Sequence, residues 1–167
     1  MIKIDVTKLS YTKESILEED ANFDPEIYKC YPPLLEVKKC HVQIKVRRYE
    51  QFIYMNLNIK ADVVLQCSYT LKPFDSKIKT SEELHFANRV MEGDDDLIEF
   101  RGNYIELDKY IFDSLSASIP PSPKAPGASL PKGGKDYRVI SSDDYLKEKE
   151  EKIDPRFAAL DDLEFDD

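Results

Sequence analysis

KCHVQIKVR, residues 39–47, and IYMNLNIKADVVLQC, residues 53–67, decide the fold. In the first, Cys40, Val42, Ile44 and Val46 alternate with Lys39, His41, Gln43, Lys45 and Arg47. In the second, Ile53, Met55, Leu57, Ile59, Ala61, Val63, Leu65 and Cys67 fall on every other position. Successive side chains of an extended chain point to opposite sides, so this period of two predicts strands with one face in a core and the other in water. The second run spans about 45–50 Å at roughly 3.3 Å per residue, and a bend or bulge is expected in it. A turn near Tyr49, Glu50 and Gln51 joins the two runs. A third run over 76–86 sends Ile78, Thr80, Leu84 and Phe86 inward and Lys77 and Lys79 outward. Three such strands with short connections predict an antiparallel meander.

Outward from this centre the signals are shorter. Residues 2–7 alternate as a half-buried strand, and 15–20 read as a short helical turn. Asp24-Pro25 and Pro32-Pro33 read as turn or extended linker. Residues 97–100 suggest one more strand. Asp108 is placed to cap a helix over 109–118 that buries Tyr110, Ile111, Leu115 and Ile119. Residues 120–134 hold five prolines and three glycines and cannot form a regular element. A charged helix is expected over 142–152, capped by Ser142. Asp154 and Pro155 then start a last helix whose Phe157, Leu160 and Leu163 make a small apolar stripe.

The expected protein is therefore α+β and β-dominated. An antiparallel sheet or partial barrel carries one covering helix (1–119), a Pro/Gly-rich linker (120–141) and an acidic helical tail (142–167). The stripe of Phe157, Leu160 and Leu163 is a candidate dock for a partner.

Charge and chemistry narrow the function. The chain of 167 residues has a net charge of −9. Yet residues 37–79 hold nine basic groups against Glu50, Asp62 and Asp75. Period two places Lys39, Lys45, Arg47, Lys60, Lys77 and Lys79 on the polar side of the meander, where they are candidate RNA contacts. Lysines on a sheet face or edge also deter aggregation, so the pattern has a structural reading as well. The two histidines, His41 and His85, lie on polar faces, and no glycine-rich phosphate loop or paired acid–base constellation stands out, so no enzyme is expected. Cys30, Cys40 and Cys67 are scattered singly; neither a disulfide framework nor a metal site is expected, and a reducing compartment fits. With no apolar leader or membrane span, residence in the cytoplasm is expected, and no cofactor or small-molecule substrate.

Two motifs carry a resemblance. CSYTLKPF (67–74), which includes Cys67, Pro73 and Phe74, ends the long strand. IDPRFAAL (153–160), which includes Asp154, Pro155 and Arg156, lies near the C-terminus. With a helix ending in Ser118-Ile119-Pro120 and a Pro-rich stretch between them, the order resembles the YceD family, the large ribosomal RNA subunit accumulation proteins. The resemblance departs in detail: Tyr69 and Thr70 stand where many relatives have an arginine and a second cysteine, and 126–134 lacks the cysteine pair that many carry. If those cysteines bind zinc, this chain has lost the ligands, and either other contacts, such as packing by Tyr69 or Tyr137, hold the linker to the sheet or nothing does. The resemblance implies a non-catalytic role in accumulation or maturation of large-subunit (23S) ribosomal RNA. The partners it implies are that RNA, its precursor or a large-subunit ribosomal protein. The alternative is an adaptor that grips a ribosomal protein or nuclease through its C-terminal helix without touching RNA.

Overall fold

A computed structural model describes residues 1–11, 13–28, 31–89 and 96–151. The chain forms two compact units, Met1–Pro126 and a second that begins at Gly127. The first unit is built on a five-stranded sheet in the order β2 (Ser15–Asp20), β3 (Leu34–Tyr49), β4 (Phe52–Gln66), β5 (Pro73–Ala87), β6 (Leu97–Glu99). A separate two-stranded sheet pairs β1 (Lys3–Asp5) with β7 (Tyr104–Glu106). The short helix α1 is Pro25–Tyr28 and the covering helix α2 is Asp108–Ala117.

The expected meander is β3-β4-β5, antiparallel throughout. The expected irregularity lies in its partner instead of in the long strand. Strand β4 pairs with β5 without a break from Phe52–Ala87 to Gln66–Pro73. The register shifts fall in β3, between Leu34 and Glu36 and between Val37 and Lys39. A bulge there lets one strand bend while the other keeps its pairing.

Residues 15–20 are strand β2, antiparallel to β3, where a helical turn was expected. The acidic run Glu18, Glu19, Asp20 hides the alternation, and tertiary pairing decides: Glu18 accepts a hydrogen bond from Gln43 at 2.9 Å and Asp20 lies 3.0 Å from His41. Strand β6 runs parallel to β5, so the sheet is mixed, and it stays open. Asp24-Pro25 opens the helical turn α1, with the Asp24 carboxylate accepting the Glu26 N–H at 2.9 Å. In the expected 2–7 strand only Lys3–Asp5 is extended. Asp5 then caps a 3-10 turn over Val6–Lys8.

The inner face of β3-β4-β5 is covered by α2. Ile111, Leu115 and Ile119 are buried with Leu57, Ile59 and Phe86 in one core. Phe112, which the expected stripe did not include, joins them and meets Phe23 at 5.2 Å and Tyr31 at 5.0 Å between ring centroids. Asp108 lies in the first turn of α2 instead of capping it. Its carboxylate accepts the Ile2 N–H at 3.0 Å and so fastens the N-terminal strand to the helix.

Residues 120–126, expected as linker, belong to the first unit. Ser68 donates its N–H to the Pro123 carbonyl at 2.8 Å, and the Ala125 N–H points at the Cys67 sulfur at 3.3 Å. In the second unit, helix α3 (Ser142–Glu151) is capped by Ser141 in place of Ser142. The Ser141 hydroxyl oxygen accepts the Asp144 N–H at 3.0 Å and donates to the Asp144 carboxylate at 2.7 Å, a reciprocal cap.

Candidate nucleic-acid interface

The outer face of the sheet is assembled by register. Lys39, His41, Gln43, Lys45 and Arg47 on β3 stand beside Asp62, Lys60, Asn58, Asn56 and Tyr54 on β4. These in turn stand beside Lys77, Lys79, Ser81, Glu83 and His85 on β5. All six basic residues singled out from the sequence lie on this face. They are not equivalent. Arg47 is held by Glu14 at 2.9 Å, and Lys77 lies 3.6 Å from Asp62. Lys39, Lys45, Lys60 and Lys79 make no ion pair among the described residues.

The face is less basic than the sequence suggested. Strand β2 brings Glu18 and Asp20 onto it, and β5 brings Asp75 and Glu83. Asp75 pairs with Lys38 at 2.5 Å, and this hydrogen bond raises the lysine's pKa. The free positive charge is concentrated where Lys60 and Lys79 sit directly opposite each other on β4 and β5. Like charges opposed across strands are destabilising. Among the described residues strand β6 pairs with β5 only over His85–Ala87, so lysines at 77 and 79 also suit edge protection. That reason does not reach Lys60, which is on the central strand of the sheet.

Toward the β3–β4 turn the same face is aromatic. Tyr54 meets Tyr49 with ring centroids 5.8 Å apart and His85 with centroids 5.0 Å apart, both edge to face. Below them a side-chain relay runs from Asn58 to the Asn56 carbonyl oxygen at 2.9 Å and from the Asn56 amide to Glu83 at 3.2 Å. Lys45 and Arg47 close the side of an open depression of about 560 Å³. The alternation put Tyr54, Asn56, Asn58 and His85 outward, but only the register brings them together with Tyr49, and the sequence reading did not single them out.

The motif at the end of β4 has a structural part. Cys67 is fully buried, and its thiol is pulled down to about 7 by hydrogen bonds from the Ala125 N–H and from Thr70. Tyr69 holds the same loop, with the Lys124 ammonium 4.9 Å above its ring. Pro73 starts β5 opposite Gln66, and Phe74 packs against the core. Cys40, buried on β3, is pushed up to about 11 by desolvation. No group of three or more His, Cys, Asp or Glu that could hold a metal occurs among the described residues, and the Cys67 sulfur faces backbone N–H donors instead of further ligands. Asp154, Pro155, Arg156, Phe157, Leu160 and Leu163 lie outside the described residues, as does Cys30. Among the described residues no helix is long and apolar enough to cross a membrane.

Comparison with known proteins gives one family. The family model described as "Large ribosomal RNA subunit accumulation protein YceD" matches residues 55–164, more than half of the chain. No curated protein and no solved structure matches.

Proposed function

Since the chain belongs to the YceD family of large ribosomal RNA subunit accumulation proteins, we propose that it supports that accumulation by binding large-subunit RNA, or its precursor, on the outer face of the sheet. The observation that carries this reading is the opposed pair Lys60 and Lys79, with Lys39 and Lys45 also unpaired among the described residues. Two ammonium groups held side by side on a central and a neighbouring strand cost stability in the free protein, and a phosphate backbone relieves that repulsion. The role asks no bond chemistry of the face. An RNA that is covered as it folds persists longer, and the family is named for accumulation, not for a reaction.

The test is a binding titration with large-subunit RNA fragments at several salt concentrations, run on the wild type and on a variant with Lys39, Lys45, Lys60 and Lys79 all changed to Gln. These side chains point away from the core, so circular dichroism should be unchanged. Affinity should fall, and the slope of log affinity against log salt should shrink by about 0.7 for each single-strand phosphate that the variant no longer neutralises. An equal affinity and slope in the folded variant would move the reading to a protein adaptor working through residues 154–163.

A further inference from the structure

The aromatic end of the outer face has a composition that a phosphate track does not need. Lys45 and Arg47 are matched in number there by Glu14 and Glu83, so the depression is near neutral, while the other unpaired lysines, Lys39, Lys60 and Lys79, lie farther along the sheet. Its floor and wall offer ring faces and amides instead. Two edge-to-face contacts among Tyr49, Tyr54 and His85 occupy at most two of the six ring faces. Tyr54 is 39% exposed and Tyr49 54% exposed, so both rings are open to solvent. Two asparagines and a glutamate in a hydrogen-bonded row present acceptors and donors beside the rings. Aromatic rings on an open sheet face, next to amides and with cations at the side, are the chemistry that takes unstacked bases of single-stranded RNA: the ring stacks, the amides meet the base edge and the lysine meets the phosphate.

We propose that the depression at Tyr54 is a base-stacking subsite for single-stranded RNA, in which a base lies on Tyr54 within the Tyr49–Tyr54–His85 cluster, its edge meets Asn56, Asn58 or Glu83, and its phosphate faces Lys45. This rests on the reading that the outer face binds RNA, and it adds a strand preference: unpaired segments over duplex. Lys60 lies four residues beyond Asn56 on the same strand, about 13 Å away, so the continuing backbone runs toward the unpaired lysines.

The experiment uses the full chain and two RNA probes of equal length, a single strand and a duplex. In Tyr54→Leu the single-strand affinity should fall by roughly five- to a hundredfold, the range that one stacked base contributes, with duplex affinity and salt slope unchanged. Tyr54→Phe should keep the wild-type preference, because the ring and not the hydroxyl stacks. The chain has no tryptophan, so Tyr54→Trp provides a single reporter that also stacks; its fluorescence should be quenched on titration with the single strand and not with the duplex. Single-strand affinity unaltered in Tyr54→Leu, or indole fluorescence unquenched in Tyr54→Trp, overturns the subsite while leaving phosphate binding on the lysines standing. A wild type that binds neither probe overturns both proposals. If Tyr54→Leu loses its fold, the Tyr54→Trp titration decides alone.

Discussion

On strand β4, Ile53, Met55, Leu57, Ile59, Ala61, Val63 and Leu65 are each at most 3% exposed, while Tyr54, Asn56, Asn58, Lys60 and Asp62, one residue over, face outward. The inner set is chosen by packing: every side chain meets the opposing helix or its strand neighbours, and any change of volume is felt. The outer set is not chosen by packing, and at Lys60, opposite Lys79 of β5, it runs against the protein's own stability. One strand therefore separates residues kept for the fold from residues whose presence the fold does not explain. The clearest way to sharpen this contrast is to cut one residue of the inner set. Leu57→Ala, at a fully buried position, should lower stability by about 2–5 kcal/mol through lost burial and a residual cavity. Asn56→Ala and Asn58→Ala beside it should each cost well under half of that. Urea unfolding of the three variants checks it; a Leu57→Ala loss no larger than the asparagine losses would break the division between the faces.

The inner face has one position where the contrast blurs. Cys67 ends the apolar series of β4, yet its sulfur takes the Ala125 N–H at 3.3 Å and interacts with Thr70. These donors favour the thiolate and hold the folded thiol near 7, against 9.0 ordinarily. A thiol whose folded pKa is depressed adds stability that is fully present above its unfolded pKa and is lost as pH falls through the folded value. Cys40, raised to about 11 by burial, does the opposite: it adds nothing against unfolding below pH 9 and subtracts stability as pH rises from 9 toward 11. The expected profile climbs from pH 7 to 9 and declines above it. Cys67→Ala should flatten the climb, and Cys40→Ala should soften the decline. Thermal midpoints between pH 6 and 10 for the three proteins check both. A climb that persists in Cys67→Ala would remove the thiolate from the forces that hold residues 120–126.

What the sequence made legible follows the same division. Burial on one face forces alternation in β3, β4 and β5 and a stripe at three- to four-residue spacing in α2, so the series through Cys40, Leu57 and Phe86 and the stripe through Ile111 and Leu115, though not Phe112, could be read. Strand β2 could not, because Glu18, Glu19 and Asp20 carry no alternation and owe their strand to pairing with His41, Gln43 and Val42. That omission, with Asp75 and Glu83 on β5, is why the outer face read as more basic than it is. The parallel β6 was legible as a strand but not in direction, which a three-residue run does not encode. Period two was enough to put the six basic residues together on the outer face, whereas the cluster at Tyr54 needed the cross-strand register that sets it against Arg47 and His85. The loop 120–126 looked free because its anchors are backbone groups, which composition does not reveal.

The smallest expected effect tests whether part of the outer face is kept at a cost. Lys79 faces Lys60 across β4 and β5. Lys79→Glu converts a repulsive cross-strand pair into an attractive one and leaves the inner face untouched. Stability should rise by about 0.2–1 kcal/mol, the size of one cross-strand charge pair, which moves the thermal midpoint upward by at most about 2–4 °C for a chain of this size. The gain should shrink with added salt, because both ammonium groups are exposed and screened beyond about 8–10 Å. RNA affinity should move the other way, since the change removes one cation and adds one anion beside the proposed phosphate path. Lys79→Gln, which only removes the repulsion, should fall between the two proteins in both measurements. Melting curves and RNA titrations of the three proteins at low and high salt read both quantities. Opposite movement of stability and affinity would mean that the pair is held for an anion. A Lys79→Glu protein that is more stable and binds RNA as well as the wild type would assign Lys79 to edge protection.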